Sequence, residues 1–167
     1  MPLKVKTQVF IVMVVVICTF LGCYKLVRMI APGSYPFAEE YVLNYAESEV
    51  KAAINQLKQE DHSLLVPDVT INDTIVTALS DHQNDHWYTF YFYLKDRKSI
   101  VLTYTRSALE GKKTTFAFVG INEGLDLGNW RNINDDFGFF ENRRLKKESE
   151  ERILNRIKQK LEARNQK

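Results

Sequence analysis

Residues 87–105 read WYTFYFYLKDRKSIVLTYT, and this stretch decides the fold. Successive side chains of a strand point to opposite faces, so Trp87, Thr89, Tyr91 and Tyr93 share one side, and Tyr88, Phe90, Phe92 and Leu94 share the other. Large apolar groups on both sides predict a central strand. Lys95-Asp96-Arg97-Lys98 is a short polar turn, and SIVLTYT after it predicts an antiparallel partner. Glu110-Gly111-Lys112-Lys113 marks a further turn, and TTFAFVGI (114–121) the next strand. Upstream, past Pro67, VTINDTIVTAL (69–79) alternates more loosely. The four segments predict a four-stranded antiparallel meander.

Helical periodicity flanks this region. Ser34-Tyr35-Pro36 suits a helix start, with a capping serine and an early proline whose missing N–H costs nothing there. Tyr41, Val42, Tyr45, Ala46, Val50, Ala53, Ile54 and Leu57 then fall on one stripe of a helix, with Glu39, Glu47, Glu49, Lys51, Lys58 and Glu60 mostly elsewhere. Near the C-terminus Ile153, Leu154, Ile157 and Leu161 recur at helical spacing among charges, predicting a second helix. Between sheet and helix, residues 122–138 are rich in Gly, Asn and Asp around Trp130 and Ile133, which predicts an ordered loop. The order helix, four strands, helix is α+β. One helix laid across a curved antiparallel meander resembles the cystatin-like arrangement, and a likeness of architecture implies no activity.

The 167 residues leave roughly 130 for one domain, residues 34–167, beyond an N-terminal arm, residues 1–31. Lys4, Lys6, Lys25 and Arg28 are the charged side chains before Pro32, so the arm carries +4, and 19 bases against 21 acids leave the domain at −2. That balance gives no field for a polyanion, and no nucleic acid partner is expected. Cys18 and Cys23 both lie in the arm, so no disulfide stabilises the domain.

Residues 9–24, VFIVMVVVICTFLGCY, carry no charge and are apolar on every helical face, which in sequence terms predicts a transmembrane, single-pass signal-anchor helix running on through KLVRMIA. Lys25 and Arg28 would reach the headgroups, and Pro32-Gly33 would end the helix. The amino terminus, Lys4 and Lys6 on one side face Lys25 and Arg28 on the other, which favours a cytoplasmic N-terminus and an extracytoplasmic domain. Two alternatives share the segment. The basic start and short apolar run also fit a cleaved signal peptide. Phe20-Leu21-Gly22-Cys23 resembles a bacterial lipobox in its Gly before Cys and departs from it in Leu21, where a small residue is favoured; the resemblance implies a lipoprotein anchored through acylated Cys23.

Several constellations bear on function. Asp81-His82-Gln83-Asn84-Asp85-His86 puts imidazole and carboxylate together, ligand types suited to zinc or nickel, which makes His82, Asp85 and His86 the candidate metal ligands. Polar letters of this kind also fill hairpin loops. Asp126, Asn129, Asn132, Asn134, Asp135 and Asp136 offer oxygen ligands for calcium but lack the central Gly and terminal Glu of the calcium-loop pattern. The domain has no Gly-x-Ser-x-Gly, no thiol, no phosphate-cradling loop and no dinucleotide fingerprint, so no cofactor is expected and no small-molecule substrate is identified. His62, His82 and His86 are its histidines. Arg143, Arg144, Lys146 and Lys147 form a basic cluster, followed at once by Glu148, Glu150 and Glu151, as on a solvated helix face. Trp87, Tyr91, Tyr93 and Tyr104 form the candidate partner surface, since Tyr and Trp give large contact area at little entropic cost.

These features together predict a membrane-anchored, non-catalytic envelope protein whose small α+β domain binds another protein. The alternatives are an immunity or inhibitor-type protein neutralising a toxin, a structural subunit of an envelope complex and, as the outsider, an enzyme.

Overall fold

A computed structural model of the chain describes residues 3–30, 35–71, 74–76, 79–84, 86–108 and 111–165, with the side chains of 3–7, 24–30, 76 and 165 outside that description. The chain divides into two compact units, Met1–Pro36 and Phe37–Lys167.

The first unit contains one helix, α1 (Leu3–Ile30), with exposed Val, Ile, Phe and Met side chains between Val9 and Leu21. Among the described residues no helix is long and apolar enough to cross a membrane. This overturns the expected transmembrane signal-anchor, and with it the single-pass placement with a cytoplasmic N-terminus and an extracytoplasmic domain. The physical shortfall is length: sixteen uncharged residues at 1.5 Å each reach about 24 Å against a hydrocarbon core of about 30 Å. Lys25 and Arg28 stand in the continuation. The lipoprotein alternative is not shown either; Cys23 lies within α1.

The second unit is α+β, but the sheet is larger than the expected four-stranded meander. Its strands are β1 (Glu39–Leu43), β2 (Val69–Ile71), β3 (Thr74–Val76), β4 (His82–Gln83), β5 (Tyr88–Leu94), β6 (Ser99–Ser107), β7 (Thr114–Glu123) and β8 (Trp130–Asn132). Pairing in the main sheet runs β1-β7-β6-β5-β4, antiparallel throughout, with β8 also on β7, while β2 and β3 form a separate hairpin. The β5–β6 pair aligns Phe92 with Val101 and Tyr91 with Leu102, as residues 87–105 predict.

Three segments depart from the sequence reading. Residues 39–43 are a strand rather than part of a helix: Tyr41 and Leu43 turn toward the core, while Glu40 and Val42 are exposed. The first domain helix, α2, begins at Glu47 and ends at Glu60; Glu49 accepts from the Ala46 N–H at 2.8 Å and satisfies a donor that the helix start leaves unpaired. Ser34, the expected cap, lies outside the described residues. His82–Gln83 and Trp130–Asn132, both within expected loops, are short strands.

The C-terminal helix is longer than expected. It comprises α3 (Phe139–Ser149), a π-helical turn (Glu150–Leu154) and α4 (Asn155–Asn165). Its buried residues Leu145, Ser149, Ile153, Ile157 and Leu161 recur every four positions, and at 3.6 residues per turn such a series drifts about 40° per step. The wider π turn takes up part of that drift, so the stripe keeps facing the sheet.

Two helices, rather than the single helix of a cystatin-like layout, therefore cover one face of the sheet. Val50, Ala53, Ile54 and Leu57 of α2 pack with Ile153, Leu154, Ile157 and Leu161 over Phe90, Phe92, Val101, Phe116 and Phe118. The opposite face is partly covered by the chain itself. Val66 and Val69 close over Ile100, with Tyr91, Tyr93, Leu125, Leu127 and Trp130 packed around them. The β2–β3 hairpin is stitched there by Thr70 N–H to the Leu125 carbonyl at 2.8 Å and Leu127 N–H to the Thr70 carbonyl at 3.0 Å.

Candidate functional site

The self-covered second face governs the aromatic set. Trp87 is 8% exposed and Tyr104 2%, with their rings 5.0 Å apart, Arg106 over the Trp87 ring and the Tyr104 hydroxyl donating to Glu40 at 3.0 Å. Tyr91 and Tyr93 are half-buried against the segments that fold over them. All four therefore sit in packed or half-packed positions. The alternation of residues 87–93 is visible in sequence; the cover supplied by residues 64–71 and 124–130 is not.

The His/Asp segment is built for structure. Asp81 accepts Lys58 Nζ at 2.8 and 2.6 Å and the Tyr91 N–H at 2.9 Å. His82 is exposed, with Nδ1 3.0 Å from the Ser80 carbonyl and its ring stacked on Tyr91. His86 meets the Trp87 ring edge-on, and Asp85 lies outside the described residues. Among the described residues no three His, Cys, Asp or Glu side chains converge as a metal site. Lys58 itself is buried. Burial pushes its ammonium below the usual lysine range, and the Asp81 carboxylate opposes that shift.

The Asn/Asp loop is committed in the same way. Asp126 Oδ1 accepts the Gly128 N–H at 3.3 Å, and Asp136 Oδ2 accepts the Asn132 N–H at 2.6 Å. Asn134, at φ 63°, donates from Nδ2 to the Phe37 carbonyl and to Glu39. The fully buried Asn122 organises the turn before it, donating to the carbonyls of Gly124 and Asp126 and accepting the Asn129 N–H at 3.0 Å. These are turn-forming uses of Asn and Asp.

A shallow groove of about 480 Å³ runs beside the β5–β6 turn, lined by Asp61, Ser63, Tyr93, Asp96, Arg152 and Arg156 among others. Both of its arginines are paired. Arg152 forks onto both oxygens of Asp96 at 2.5 Å, and Arg156 meets Asp61 at 2.8 Å. Ser63 Oγ donates to Asp61 at 2.5 Å, and together with Arg156 it holds that carboxyl below the usual carboxylate range. A carboxylate so stabilised is a poor base for activating the hydroxyl. In the basic cluster, Arg144, Lys146 and Lys147 face Glu141, Glu39 and Glu151 at 3.8, 3.1 and 3.7 Å.

Among the described residues, the domain's exposed large hydrophobics are Val42, Leu65, Ile71, Ile75 and an aromatic pair. Phe139 is 74% and Phe140 84% exposed, their rings edge-to-face with centroids 5.4 Å apart at the first turn of α3. Hydrogen bonds and packing hold the turn that carries them. Asn142 and Asn134 exchange two hydrogen bonds, at 2.9 and 2.7 Å, and Asn134 ties the same turn to the start of β1. Arg131 lies 3.9 Å over the neighbouring Phe137 ring, and Leu145 anchors the helix in the core. Sequence reasoning missed this pair because a Phe-Phe doublet beside an apolar helical stripe reads as core. The available signal was Gly138 before a helix start, which places the doublet in the first, protruding turn.

Compared with known family models, curated proteins and solved structures, the chain matches none.

Proposed function

We propose that the domain of residues 37–167 is a non-catalytic recognition module that binds another protein through the Phe139–Phe140 end. The observation that carries this reading is the exposed, edge-to-face aromatic pair on a turn fixed by hydrogen bonds and by a buried leucine. Isolated exposed apolar residues are ordinary on protein surfaces, whereas two adjacent phenylalanines exposed to water on a hydrogen-bonded turn are the kind of anchor that carries binding energy once a partner desolvates them. The commitment of Asp81, Asp126, Asp136, Asp61 and their neighbours to internal hydrogen bonds and ion pairs favours binding over chemistry.

The test is affinity capture with the full-length chain and with its Phe139→Ser/Phe140→Ser variant, matched for thermal unfolding. The proposal expects one protein in fixed stoichiometry with the parent chain and its loss from the variant. Identical capture by both baits, or no stoichiometric protein with either, contradicts it.

A further inference from the structure

The sheet edge at β5 is closed by side chains rather than by a strand. β4 is two residues long, and its ladder covers only Tyr88 and Thr89. Main-chain groups of alternate residues point to the same neighbour, so Tyr91 comes next at that edge. Its N–H donates to Asp81 Oδ1 at 2.9 Å and its carbonyl accepts Lys58 Nζ at 2.7 Å. Lys58 and Asp81 are themselves joined at 2.6 Å. Lys58 is 7% exposed, and its ammonium lies 4.7 Å over the Phe92 ring and 5.7 Å from that of Phe90. Two turns earlier on α2, Lys51 follows a parallel course: it lies 4.6 Å over the Tyr88 ring and donates to Gln83 at 3.2 Å. Two lysines of one helix thus strap residues 81 and 83 to the edge strand.

We propose that Lys58 and Asp81 stand in for the missing length of edge strand and thereby keep β5 from pairing with β5 of a second copy of this chain. A row of edge N–H and C=O groups is a template for another strand, and inward-pointing charge is one way such edges are blunted. β5 is aromatic or aliphatic on both faces, the composition that pairs with itself most readily. An antiparallel pairing centred on Phe92, with Tyr91 opposite Tyr93 of the second copy, lies past the β4 ladder and is self-complementary, as a two-fold dimer requires. Stability alone does not account for the ion pair, because buried pairs replaced by apolar residues of similar volume often leave a protein equally stable. A fixed pair does exclude an incoming strand, which would have to strip the buried Lys58 and the part-buried Asp81 of their partners.

The variant that separates the two roles is Lys58→Met/Asp81→Leu in the full-length chain, which removes the charges, nearly keeps the side-chain volume at position 58 and keeps the γ-branched shape at position 81. Sedimentation velocity and Tyr91 amide exchange over a hundredfold protein concentration range give the readout. The proposal expects a concentration-dependent dimer absent from the parent chain. It also expects Tyr91 exchange on the order of tenfold faster than in the parent at low concentration, slowing as the dimer forms, while Phe90 and Phe92 exchange unchanged. The same association state as the parent at every concentration overturns it, as does Tyr91 exchange that ignores concentration. Should this variant fail to fold, Lys58→Met decides. Asp81 then still holds the Tyr91 N–H, the carbonyl has lost the Lys58 ammonium, and weaker but concentration-dependent dimerisation is expected; parent-like behaviour overturns the proposal.

Discussion

Gly120 sits where β8 crosses closest to β7: a β-carbon built there would lie 2.5 Å from the Arg131 carbonyl oxygen. Gly120→Ala must therefore push β8 away, and a loss of about 1–3 kcal/mol is expected, read as a lower urea midpoint; an unchanged midpoint would mean that β8 yields freely. Ser99 is the opposite case. Its hydroxyl is buried with no hydrogen-bond partner among the described residues, so Ser99→Ala should be neutral or stabilising by about 1 kcal/mol, and a clear loss would reveal a partner for the hydroxyl. Tyr41 is half-buried, and burial together with the hydrogen bond to Glu150 at 2.8 Å raises its phenol above the usual value of 10.0. Above pH 10 the unfolded chain releases this proton and the folded chain retains it, so stability falls with rising pH there. Tyr41→Phe should lose less stability than the parent between pH 10 and 11 in matched urea titrations; parallel curves would place the Tyr41 proton elsewhere. None of these roles is legible in sequence, since Gly120, Ser99 and Tyr41 owe them to neighbours 11, 5 and 109 positions away, respectively Arg131, Leu94 and Glu150.

The elements were legible where one periodicity ran long enough. β5, β6 and β7 follow from alternation and turn residues, and their pairing follows from short connections. β1 was not legible, because Tyr41, Val42, Tyr45 and Ala46 fall at spacings of one and four that also fit a helix, and five residues cannot discriminate the two periods. β4 and β8 are two and three residues long and carry the polar letters of loops. In the C-terminal helix the buried stripe was visible, but the π turn that keeps it facing the sheet was not. Ile153 lies in that turn and is fully buried, so Ile153→Ala should cost about 2–5 kcal/mol, whereas the exposed Arg143→Ala should stay within about 0.5 kcal/mol. Equal effects in urea unfolding would show that the π turn packs loosely.

At the scale of the molecule, the sequence conveys one α+β domain beyond an apolar arm, but not how the domain covers its own sheet. That cover brings Trp87 and Tyr104 into packed positions and leaves Phe139 and Phe140 as the prominent aromatic surface of the domain. The candidate site was illegible for this reason: aromatic content is readable in the sequence, and how much of each ring the fold leaves exposed is not. Recognition through the Phe139–Phe140 end is the central claim, and a photoreactive phenylalanine analogue placed at position 140 in the full-length chain tests it most directly, with the same analogue at exposed Lys147 as control. One discrete cross-linked partner from position 140, absent from position 147, is the predicted result. Labelling that is equal at the two positions, or no cross-link at position 140, would contradict the account.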